Sequence, residues 1–128
     1  MPNSLFLRRI LAVDSLSCLA MGLLMGLGAA ALAPLFGLPE ALVRGAGLAL
    51  LPLAAFIFWL ATRPYPLRLL VWVVIVGNVG WTIESFLTLG QSQTTALGTA
   101  FVAAQAIAVL GLAALEYVGV RKATTAVA

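Results

Sequence analysis

Four long apolar stretches dominate this chain. A helix needs about 20 apolar residues to cross a hydrocarbon core of about 30 Å. The stretches at about 5–36, 43–62, 67–89 and 96–118 all reach that length. In lipid, every backbone N–H and C=O must be satisfied inside the protein, which leaves helices or closed barrels. None of the stretches alternates polar and apolar residues as a barrel strand does, so helices are expected. Composition agrees: 63% of residues are hydrophobic and 9% charged, against about 45–50% and about 25% in soluble domains. The fold class expected is an all-α membrane protein, with residues 1–128 forming a single four-helix transmembrane domain.

The connections are short. GLPE carries the turn residues Gly37 and Pro39, TRPYP carries Pro64 and Pro66, and GQSQTT is polar. Short loops predict consecutive antiparallel helices in an up-down bundle. Pro52 falls inside the second helix and predicts a kink. The basic residues then fix orientation. Arg8, Arg9, Arg63, Arg68, Arg121 and Lys122 all fall at one end of such a bundle, and Arg44 at the other. Both termini are expected in the cytoplasm. The net charge of +3 therefore marks membrane orientation, and no nucleic acid partner is expected.

The start of the chain has some marks of a cleaved signal: a basic beginning, an apolar run and the small-residue stretch GAAALA. The run is too long for one and contains Asp14, Ser15 and Ser17, so a retained helix is expected. EALVRGAGLALL and TALGTAFVAAQA resemble one another enough to raise a two-plus-two duplication, although alanine-rich helices match easily. Cys18 is the single cysteine and histidine is absent. An intrachain disulfide is thereby excluded, and the commonest metal and haem ligand is missing. No cofactor is expected. Cys18 itself reads as a buried, inert thiol.

The polar residues inside the apolar runs need partners. NVGWTIES places Asn78, Thr82 and Ser85 on one broad helix face, with Glu84 beside it. Helical rise puts Glu84 and Arg44 within about 1.5 Å of the same depth, so an Arg44–Glu84 ion pair is one expectation. A Glu84 side chain reaching the outer interface is another, and a transport role is a third. Gln105, near the middle of the fourth helix, is the expected amide partner of Asn78. RRILAVD and EYVGVR set Asp14 and Glu116 at one depth, about 7.5 Å inside Arg9 and Arg121. The two acids are expected to pair with arginine at the cytoplasmic interface, or to form a proton or cation site. Gly22 and Gly26 form a GxxxG step. Ala96, Ala100, Ala104 and Ala108 form a comparable stripe, and both are expected to pack helices inside the bundle. Phe56, Phe58, Trp59, Tyr65 and Trp72 read as an interfacial aromatic belt.

GLPEALVRGAGLALL, the Arg-Pro turn and the Asn-x-x-Trp helix together resemble small bacterial four-helix integral membrane proteins. That resemblance implies a bacterial inner (cytoplasmic) membrane. Length and helix count are similar to those of small multidrug exporters and fluoride channels, with clear departures. The orientation bias is strong, the exporters' first-helix glutamate is matched at best by Asp14, and the fluoride-channel Phe and Thr-Phe-Ser patterns are absent. No set of catalytic groups stands out, so an enzyme is not expected. The leading expectation is an accessory or assembly subunit held by helix contacts to another membrane protein or to a second copy, within the lipid bilayer. The alternative is a small oligomeric transporter or channel whose polar path runs through Asp14, Glu116, Glu84 and Asn78.

Overall fold

The computed structural model describes residues 5–91 and 93–122. They form α1 (Leu5–Phe36), α2 (Glu40–Ala61), α3 (Arg68–Gln91) and α4 (Ala96–Lys122). Each helix is long and apolar enough to cross a membrane, which fits a multi-pass membrane protein. The boundaries fall within a few residues of those the apolar stretches predict. α2 begins earlier, at Glu40, and α4 continues to Lys122. α2 runs on as one helix through Pro52.

Local chemistry sets the ends. Gly37 takes a φ of +70°, and Leu38 N–H donates to Ala33 O at 3.0 Å. This is the left-handed stop that glycine permits after a helix. At the start of α4, Thr95 Oγ1 accepts from Gly98 N–H at 3.0 Å and donates to Leu35 O at 2.6 Å. One side chain thus caps α4 and ties it to α1. Arg8 Nε donates to Ala61 O at 3.1 Å, placing a cation on the last turn of α2, where free carbonyls gather.

α1 packs most extensively on α2, and α3 on α4; α1 also lies along α4, whereas α2 barely meets α3. In a bilayer, lipid tails are as apolar as leucine, so close fit rather than water exclusion holds helices together. Glycine makes the closest approaches. A Cβ on Gly22 would lie 2.9 Å from Gly47 O. One on Gly47 would meet the backbone of Gly26 and Met25, and one on Gly98 the backbone of Phe36. At the end that carries most of the basic residues, Leu7, Leu11, Ile57, Leu60, Val71 and Val120 are almost fully buried.

Apart from Leu50 and Gly98, the buried positions of α2 recur on α4 at one constant offset. Val43, Gly47, Ala54, Ile57, Leu60 and Ala61 are buried on α2, and Val102, Ala106, Ala113, Glu116, Gly119 and Val120 on α4. This register differs by about one helical turn from the one that residue types suggest. Spacing of buried positions, not matching alanines, relates the two halves. Glu116 occupies the place that Ile57 has on α2.

Candidate functional site

Asp14 recurs with Cys18 and Gly22 at four-residue steps, so all three share the inward face of α1. Asn78, Thr82 and Ser85 share the inward face of α3 and are buried together. Glu116 lies on the inward face of α4. Asp14, Asn78 and Glu116 are 1%, 5% and 0% exposed, and they meet. Asn78 Nδ2 donates to Asp14 Oδ2 at 2.8 Å and to Glu116 Oε1 at 2.8 Å. An amide nitrogen has two hydrogens, so one asparagine serves both acids. Ionised carboxylates only accept, which fixes which way the amide faces.

The acids differ in their second oxygen. Asp14 Oδ1 accepts from the Cys18 thiol at 3.6 Å. Glu116 Oε2 is buried with no hydrogen-bond partner among the described residues. A second polar group lies further along α3 and α4. Trp81 Nε1 donates to Gln105 Oε1 at 2.8 Å, and Gln105 Nε2 donates to Ser85 Oγ at 2.9 Å and Val102 O at 3.0 Å. The Thr82 hydroxyl lies between Asn78 O at 3.0 Å and Ala106 O at 3.2 Å.

Beside Asp14 and Asn78 the helices leave a chamber of about 380 Å³, half open along its flank. Asp14, Ser17, Cys18 and Met21 line it from α1, Leu50 and Leu53 from α2, Gly77, Asn78 and Trp81 from α3, and Phe101, Ala104, Gln105, Ala108 and Val109 from α4. It is within the range of small-molecule sites, about 300–1,000 Å³, and has their mix of apolar wall and few convergent polar groups. A smaller pocket of about 110 Å³ continues toward the α1–α2 loop and reaches Glu84, Ser85 and Thr88.

Several sequence expectations need correction. Arg44 pairs with Glu40 at 2.7 Å, not with Glu84. A partner one turn away on the same helix costs less ordering than one on a neighbour. Glu84 is exposed and lines the smaller pocket. Asn78 bonds the acids, and Gln105 bonds Trp81 and Ser85, so the expected amide pair does not form. Asp14 and Glu116 are joined at the bundle centre rather than to arginine. Arg121 Nη1 donates to Tyr117 Oη at 3.1 Å and stacks over that ring at 5.6 Å. Ala100 and Ala104 are exposed, because α4 packs through Gly98, Val102 and Ala106 instead. Gly22 and Gly26 lie against α2. The thiol of Cys18 has a local acceptor in Asp14, one turn before it. That spacing was legible and signals the contact; Gly47 and Gly98 carried no comparable mark.

No family model, curated protein or solved structure matches this chain.

Proposed function

We propose that this chain is a small membrane carrier that binds a small, largely apolar amine in its bundle and exchanges it for a proton. The observation that carries this reading is the single amide of Asn78 bonded to both Asp14 and Glu116 at the edge of the chamber. Charged groups at this depth are costly, and they mark transport paths by default. Two full negative charges on one neutral amide would repel. One proton held between the acids removes that repulsion and gives Glu116 Oε2 something to do: it donates to the neighbouring carboxylate.

The ligand class follows from what the site lacks. The donors of Asn78 and Gln105 are already used, and carboxylates accept. A ligand must therefore bring donors, as an ammonium group does. Trp81 and Phe101 in the wall suit an apolar or aromatic body and a cation over a ring face. Charge balances in the exchange. The acid pair with one proton carries one negative charge. When the ammonium binds and the proton leaves to water, two carboxylates and one ammonium again carry one.

This reading takes precedence over the accessory-subunit reading because a subunit needs no chamber at its acids. The up-down arrangement, both termini cytoplasmic, and the bacterial inner membrane are part of the proposal. They rest on the short loops and the basic residues, and reporter fusions at each loop test them. The function is tested in proteoliposomes holding a pH-sensitive dye, with a series of primary alkyl and aryl amines. Amine gradients should move protons with the native chain. Glu116→Gln should abolish this while circular dichroism shows an unchanged helix content. Failure of every amine to move protons, with a larger protein co-purifying in stoichiometric amount, would return the subunit reading to first place.

A further inference from the structure

α1 and α4 touch at two seams. Gly119 lies against Leu7, where an added Cβ would come within 3.2 Å of the Leu7 backbone, and Gly98 lies against the backbone of Phe36. Between the seams, Ser17 on α1 and Ala104 and Ala108 on α4 are exposed, and all three line the chamber. Gly77 on α3 lines it and is exposed too, and a Cβ there would meet nothing within 4 Å. The open flank is therefore bordered by side chains too small to reach across it. The ends differ. Leu7, Leu11, Ile57 and Leu60 are almost fully buried at the basic end. Toward the α1–α2 loop the rings of Phe36 and Phe101 stack at 4.5 Å. The flank also has a definite depth. Gly77 and Ala108 lie near the midpoints of α3 and α4, and the middle of a hydrocarbon core is about 15 Å from either boundary. The opening faces acyl chains rather than water.

We propose that the chamber is loaded sideways, from the bilayer core, through the flank bordered by Ser17, Gly77, Ala104 and Ala108. That the chamber binds an amine is taken from the proposal above; the route is read from the opening. This route narrows the ligand class to molecules that dissolve in lipid. A charge at the bilayer centre is costly, so an amine arrives there uncharged, having left its own proton in water. In the chamber its lone pair meets Asp14 and takes the proton that the two acids share. An N–H bond forms, an O–H bond breaks, and one ammonium then stands with two carboxylates. For each ammonium taken from water one proton has returned to it, which is the exchange already described.

Cys18 reports on the route, because the chain's single cysteine is buried and lines the chamber. Its thiol adds across the double bond of a maleimide, sulfur to one carbon and the proton to the other, with no leaving group. Two neutral maleimides of similar size are used, since the carboxylate of Asp14, bonded to Cys18, would favour a cationic reagent by any route. One carries an alkyl chain and dissolves in lipid; the other carries a sugar and stays in water. In lipid nanodiscs, with each rate referred to that of the unfolded chain, the alkyl reagent should label the native protein at least tenfold faster than the sugar reagent. The double variant Ala104→Leu, Ala108→Leu narrows the flank and should slow the alkyl reagent at least fivefold. Ala100→Leu, exposed on α4 but outside the chamber lining, should leave it unchanged. An alkyl rate no greater than the sugar rate in the native chain would overturn the proposal. So would an unslowed alkyl rate in the double variant, or an equal slowing by Ala100→Leu. If the double variant does not fold, Ser17→Leu decides the matter by the same comparison. Labelling does not depend on amine transport. A slowed double variant beside amines that move no protons would therefore keep the route and remove the carrier reading.

Discussion

The two ends of the bundle are closed by different means. At the basic end, Leu7, Leu11, Ile57, Leu60, Val71 and Val120 fill the interior. At the loop end, helices meet backbone to backbone at Gly98 and Phe36, and the interior is crossed by the Trp81–Gln105–Ser85 bonds. An apolar layer in lipid is held by fit alone and offers no second arrangement without leaving a void. Hydrogen bonds can change partner. The asymmetry sets a packed apolar end against a hydrogen-bonded one at the α1–α2 loop, with the acids at the boundary between the two.

The largest predicted effect attacks the loop-end seam. Gly98→Leu forces a side chain into the Phe36 backbone, and little folded protein should accumulate; overpacking costs about 1–3 kcal/mol even where neighbours can move, and backbone cannot move easily. Native accumulation, measured by detergent-resistant size exclusion, would show that α1 and α4 can separate there.

Asn78→Leu comes next. It strips both acids of their shared donor, and leaving a buried acceptor unsatisfied costs about 1–3 kcal/mol, more where the acceptor is charged. Unfolding in mixed micelles should show that loss. The double variant with Glu116→Gln should recover much of it, since a glutamine amide can donate to Asp14. The carbonyl band of a protonated carboxyl in the infrared should disappear in Glu116→Gln alone. Its persistence there would place the proton elsewhere.

A direct contrast of the ends follows. Leu11→Ala in the apolar layer should cost about 2–5 kcal/mol through the cavity it leaves. Gln105→Leu should cost only about 0.6–1.7 kcal/mol, the range for interhelical hydrogen bonds in membranes. Equal losses would erase the distinction between a filled end and a latched one.

The spans and the common level of Asp14 and Glu116 were legible in the sequence; the level of Asn78 against them, and rotation, were not. Rise per residue is constant, so the four spans and the shared level of Asp14 and Glu116 follow from counting. Which way a side chain faces around its helix depends on the neighbour's surface. Asn78 and Gln105 were both recognised as groups needing partners, yet each was assigned the other. The stripe through Ala100 and Ala104 was read as the packing face because small residues permit contact, whereas Gly98 and Ala106, on the adjacent face, make it. Asp14 and Glu116 were drawn to the arginines by the charge pattern. The bundle instead buries them, and only the third helix's amide, a non-local partner, makes that possible.

The smallest effect concerns the charge at the loop-end rim. Arg44 and Glu40 are about half exposed, at 43% and 48%, and exposed helix pairs contribute about 0.3–0.5 kcal/mol. A double-mutant cycle on Arg44 and Glu40 should return a coupling of that size, reduced by salt. The same cycle on Arg44 and Glu84 should return none. The second cycle matters more than its magnitude. A measurable Arg44–Glu84 coupling would mean that Glu84 is neutralised by a neighbouring helix, as its depth alone suggests. Absence of coupling would leave the Glu84 carboxylate to the smaller pocket it lines, and would separate the charge at this rim from the buried acids at Asn78.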